Sequence, residues 1–121
     1  MKQKMRALQH KLTLATYAKD KVTRFQLSPA SDISDLGVCV PVPIMYRFYH
    51  LARAYDLPQL KNFSPTGNVA VDFIAMRFLI TEIQALQELV DDPVVQFYGD
   101  QLTTYMSGTS VDTKSRLVFS S

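Results

Sequence analysis

Cys39, His10 and His50 are the side chains of this sequence best suited to nucleophilic chemistry. A thiol becomes a nucleophile when an imidazole takes its proton and a third group orients that base. No local pattern ties either histidine to the cysteine, and Val38-Cys39-Val40 reads as apolar packing. Paired acids could do proton transfer if one were desolvated. Asp91 and Asp92 are better explained by helix capping, and Asp32 and Asp35 by turns. Asp72 is expected to be an early-turn acid favoured by a helix dipole and paired with Arg47, Arg53 or an N-terminal base. Glu82 falls off the polar stripe of its predicted helix and is expected to face solvent or an arginine. One cysteine and two histidines offer no metal-ligand spacing. Gly37, Gly67, Gly99 and Gly108 are isolated from one another, which excludes a phosphate-cradling glycine loop. No catalytic, metal or cofactor site is expected, and the chain is not expected to be an enzyme.

Charge is the more telling feature. Seven of the thirteen lysines and arginines fall within the first 24 residues, where Asp20 is the one acid. Such asymmetry points to a charged partner or a charged surface within the protein. On a helical wheel Lys2, Arg6, His10, Lys21 and Arg24 gather on one side, where they could contact phosphates or an acidic partner. A net charge of +2 and a single aromatic in that stretch, Tyr17, give weak support to nucleic-acid binding. Tyr46, Arg47, Tyr49 and Arg53 form a second candidate, since tyrosine and arginine are enriched at protein interfaces.

The elements that must position these residues read as helices. Met1, Met5, Leu8, Leu12 and Ala15 recur at helical spacing, with Val22 and Phe25 extending the pattern, and predict a first helix over about residues 2–24. This stripe is expected to pack in the core, and membrane binding is not expected. Residues 26–43 turn and extend, with Val38 to Val40 as a short edge pairing at best, because Pro41 and Pro43 exclude a central strand. Pro43 then opens a second helix whose face is Ile44, Met45, Phe48, Leu51, Ala52 and Tyr55, ending before Pro58. Leu57 to Phe63 reads as a connection with one helical turn.

A third helix, capped by Ser64-Pro65 or Asn68, is predicted to run to about Leu89 or Val90. Its polar stripe is Arg77, Thr81, Gln84 and Glu88, and nearly every other side is apolar, which calls for neighbours all round. The alternation of Val69, Val71 and Phe73 also fits a strand. Asp92-Pro93 supplies an N-cap acid and a first-turn proline for a fourth helix, which ends at Ser107-Gly108. Gly99 inside it implies a close approach of something to its backbone. Residues 109–121 read as a polar tail with one apolar cluster, Leu117-Val118-Phe119.

The expected fold is therefore all-α: one domain over residues 1–121, a bundle of about four helices over 1–108, and a tail. With 47% apolar and 20% charged residues the chain is of globular composition. Basic residues interrupt every stretch apolar enough for a signal peptide, so a cytoplasmic location is expected. The expected function is a small protein-interaction module of adaptor, inhibitor or immunity type. It is expected to self-associate through the third helix, with Ile83 in the seam; nucleic-acid binding through the basic first helix is the alternative.

Overall fold

Thr23, Phe25 and Leu27 are buried while Val22, Arg24 and Ser28 are exposed, the two-residue period of a half-buried strand. A computed structural model describes residues 21–29, 35–108 and 111–121. The strands are β1 (Val22–Ser28), β2 (Val38–Pro41), β3 (Val69–Val71) and β4 (Arg116–Ser120). They form one antiparallel sheet in the order β2-β1-β4-β3. The helices among the described residues are α1 (Val42–Ala54), α2 (Phe73–Leu89) and α3 (Pro93–Met106), with a 3-10 turn at Leu60–Asn62. The fold is α+β, which overturns the all-α bundle expected from the sequence.

Two misreadings account for the difference. Val22 and Phe25 extended the predicted first helix to residue 24, but Val22–Ser28 is strand; the rest of that helix lies outside the described residues. The tail expected over 109–121 contains β4, a central strand flanked by β1 and β3. Leu117 and Phe119 point into the core and Val118 out of it, so the apolar cluster Leu117-Val118-Phe119 is a strand alternation. The strand alternative for Val69 onward holds through Val71, and the predicted third helix starts later, at Phe73.

One sheet face carries the core. Phe25 lies 4.8 Å from Phe119 and 5.6 Å from Phe63, and Phe63 lies 5.4 Å from Phe119, ring centre to ring centre. Buried Ile44, Met45 and Phe48 of α1, Met76, Leu79, Ile83 and Leu86 of α2, and Val95, Leu102 and Met106 of α3 join the same cluster. Helices thus cover one side of the sheet, and among the described residues no element covers the other, a two-layer arrangement. Thr23, the buried polar residue of β1, donates its hydroxyl to Val40 O at 2.9 Å and so is satisfied.

The helix boundaries follow from capping. Pro43 sits in the first turn of α1, and β2 before it is an edge strand, both as expected. Asp72 accepts from Ala75 N at 2.8 Å and caps α2, the expected early-turn role, with no basic partner among the described residues. Asp92 accepts from Val94 N at 2.9 Å with Pro93 in the first turn of α3. After that short link α2 and α3 run antiparallel and are stitched by amides. Gln87 Nε2 donates to Gln96 O and Asp100 Oδ1, both at 3.0 Å, while Gln96 Nε2 donates to Gln87 O at 2.6 Å. The Gln87 side chain crosses directly over Gly99, where a Cβ would lie 2.8 Å from Gln87 Cδ. That is the close approach the glycine implied.

Glu82 is half-buried and is bonded to backbone N–H groups, not to an arginine. Its carboxylate accepts from Gln59 N at 3.0 and 3.1 Å and from Leu60 N at 3.0 Å, holding the N-terminus of the 3-10 turn against α2. A carboxylate on free backbone N–H groups is a charge-assisted bond worth about 1.5–3 kcal/mol. Glu82→Ala is therefore expected to lower unfolding free energy by about 2 kcal/mol in urea titrations, with Glu82→Gln recovering part of the loss. An unchanged midpoint for Glu82→Ala would contradict this role.

Candidate interaction surface

α2 is built with two apolar faces, and the fold covers one of them. Met76, Leu79, Ile83 and Leu86, at steps of three, four and three, are buried against the sheet and α3. On the opposite side Ile74 is 66% exposed, Phe78 60% and Leu89 55%. With Thr81 and half-buried Ala85 they form a ridge at steps of four, three, four and four. At about 100° per residue these five positions fall on one arc of the helix. The expected polar stripe of Arg77, Thr81, Gln84 and Glu88 is exposed as predicted, but it flanks this ridge and does not replace it.

Exposed large apolar side chains on one element are informative where singly scattered ones are not. Beside the ridge, a groove of about 620 Å³ runs between the first half of α2 and the end of α3, lined by apolar Phe73, Ile74, Ile80, Met106 and Val111 together with polar Arg77, Thr81, Gln84 and Ser107. Arg77 lies over the Phe73 ring at 5.6 Å, placing a cation at the groove's edge. An apolar centre with a charged rim is the anatomy of a protein interface. Ile83, expected in the seam, belongs to the covered face and is fully buried.

The candidate interface on the second predicted helix is brought together on the outer side of α1. Tyr46 stacks on His50 at 6.0 Å, Tyr49 lies 5.6 Å from His50, and Arg53 sits 5.6 Å over the Tyr49 ring. Arg47 is committed elsewhere: it contacts both Asp92 oxygens, at 3.3 and 3.2 Å, and ties α1 to the start of α3. This pair takes one of the two arginines that were expected as alternative partners of Asp72.

Of the basic constellation, only Lys21 and Arg24 fall among the described residues, and neither is on a helix. Lys2, Arg6 and His10 lie outside the described residues. Lys21 is exposed just before β1, and Arg24 is exposed on the open sheet face, opposite Cys39 and Ser120. Cys39 is itself exposed, so it does not pack as expected. It faces away from the helices while His50 projects from α1, and the two are not paired. Among the described residues no group of three or more histidine, cysteine or acidic side chains is placed to hold a metal. None of the described helices is long and apolar enough to cross a membrane.

One polar network fastens the end of α3 to the sheet. Tyr105 Oη accepts from Leu27 N at 2.7 Å and donates to the Asp35 carboxylate, both of whose oxygens lie 3.0 Å away. Asp35 also accepts from Gly37 N at 3.0 Å, the turn role expected of it. Burial, reinforced by the Asp35 charge and opposed by the Leu27 N–H, pushes the Tyr105 hydroxyl up from 10.0 to about 12. The folded state thus holds this proton more tightly than the unfolded chain. Its contribution is complete below about pH 10 and is lost as pH rises towards about 12. The stability gap between the wild type and Tyr105→Phe is expected to be flat at neutral pH and to narrow across that alkaline window. A gap unchanged there in urea titrations would contradict it.

Compared with known protein families, with curated proteins and with solved structures, the chain matches none.

Proposed function

We propose that this protein is a non-enzymatic interaction module that works by burying the outer face of α2 against another polypeptide. The observation that carries the reading is the ridge of Ile74, Phe78 and Leu89, each more than half exposed on one arc of a helix whose other arc is core. Leaving this much apolar surface in water is unfavourable by roughly 25 cal/mol per Å², and a partner that covers it recovers that free energy. Arg77, Gln84 and Glu88 supply the polar rim that gives a docked chain its register.

The test is a photo-crosslinking amino acid placed at Phe78 in the full chain, in the cells that produce it, with the same substitution at exposed Gln101 as control. A covalent adduct to a second polypeptide from position 78, absent from position 101, is expected. No adduct, or an adduct only within the same chain, would overturn the reading.

A further inference from the structure

The outer ridge of α2 has an internal symmetry that a binding face for an unrelated protein does not need. Ile74 and Leu89 lie at equal distances from the point between Thr81 and Glu82, and so do Phe78 and Ala85. When two such helices pack antiparallel about a two-fold axis through that point, Ile74 of one meets Leu89 of the other. Phe78, the largest side chain of the ridge, meets Ala85, the smallest, and Thr81 lies beside its own copy. Large against small at facing positions is what interdigitated packing requires. A two-fold interface demands a patch complementary to itself.

The charges have the same symmetry. Arg77 and Glu88 are the charged residues of α2 left on its outer side, because Glu82 is bound to the 3-10 turn. They share one flank of the ridge, and a two-fold axis perpendicular to the helices sets that flank against the same flank of the other copy. Arg77 of each copy then lies within a turn of Glu88 of the other. Within a single copy the arrangement is unfavourable: Glu88 sits in the last helical turn, where the dipole disfavours an acid. An opposing arginine relieves that.

We propose that the polypeptide covering the α2 ridge is a second copy of this chain, joined through an antiparallel α2–α2 seam centred between Thr81 and Glu82. The proposal rests on the interaction-module reading above and names its partner. The seam uses a spacing of four and three, the period at which two helices interlock side by side.

Sedimentation equilibrium of the purified full chain across micromolar concentrations tests it. The expected mass is twice the 13.7 kDa of one chain. Phe78→Asp is expected to sediment as one chain with an unchanged circular dichroism spectrum. Arg77→Glu and Glu88→Arg are each expected to weaken dimerisation about tenfold, since the two-fold axis creates the pair twice. The double variant Arg77→Glu/Glu88→Arg is expected to restore it. A dimer that survives Phe78→Asp, or a double variant no tighter than the singles, overturns the antiparallel seam. A chain that stays monomeric at every concentration overturns the second copy as partner. With an adduct of another mass from position 78 that result leaves the module reading standing; with no adduct both fall.

Discussion

Ile83→Glu is expected to yield no folded protein, whereas Phe78→Asp, on the other side of the same helix, is expected to yield one as stable as the parent at low concentration. Ile83 is fully buried among Met76, Leu79 and Leu86. Removing its side chain alone costs about 2–5 kcal/mol. Placing an unpaired carboxylate in the space costs several kcal/mol more, or forces the acid to stay protonated. A domain of this size has a total stability of about 5–15 kcal/mol, so the two losses together consume most of it. Phe78, at 60% exposure, makes few of these contacts, and an exposed substitution there is expected to stay within about 0.5 kcal/mol. Circular dichroism and urea titration read both variants directly. A folded Ile83→Glu, or an unfolded Phe78→Asp, would mean that the covered and open faces of α2 have been assigned the wrong way round.

Gly37→Ala is expected to cost about 3 kcal/mol, from a left-handed backbone and a collision together. Gly37 has φ +72°, a region L side chains rarely adopt. A Cβ there would also overlap the carbonyl oxygen of Phe25 and lie 2.9 Å from Gln26 Oε1. The Phe25 carbonyl belongs to β1 where it pairs with β2, so it cannot move without opening the sheet. Gly37→Asn separates the two causes. Asparagine tolerates the left-handed region but carries the same Cβ, so it is expected to be nearly as destabilised as alanine. An asparagine variant close to wild type would assign the cost to φ alone. Gly99→Ala is milder by contrast, because the atoms it meets belong to the flexible end of Gln87 and not to backbone.

What could be read from the residues alone was local. Asp92-Pro93 and Pro43 mark their helix starts, Val38 to Val40 is the edge pairing, and Gly99 lies under a crossing side chain. The helix starts depend on neighbours a few positions away, while the edge pairing and the crowding at Gly99 were legible only as a constraint, their partners in β1 and at Gln87 being distant in sequence. β1 and β4 were missed because their pairing joins Phe25 to Phe119 across most of the chain. In β4 the alternation spans only Ser115 to Ser120, too short to stand out from a polar stretch. In β1 the alternation of Thr23, Phe25 and Leu27 was hidden by a chance helical spacing of Val22 and Phe25.

The candidate site was half legible. That α2 is apolar nearly all round, with a polar stripe at Arg77, Thr81, Gln84 and Glu88, follows from spacing. Which apolar arc the fold would cover does not, because on a wheel the arc of Met76, Leu79, Ile83 and Leu86 and that of Ile74, Phe78, Ala85 and Leu89 look alike. The sheet decides it, and the sheet was not foreseen. Glu82 marks the boundary, since its carboxylate anchors the side of α2 that faces the 3-10 turn.

Radical footprinting of the protein in intact cells, set against the purified chain at high dilution, tests most directly whether the second face of α2 is covered in the working protein. Phe78 and Leu89 are expected to lose labelling in the cell, while Tyr55, exposed at the end of α1, keeps it. Equal labelling of Phe78 and Leu89 in both settings would contradict the account.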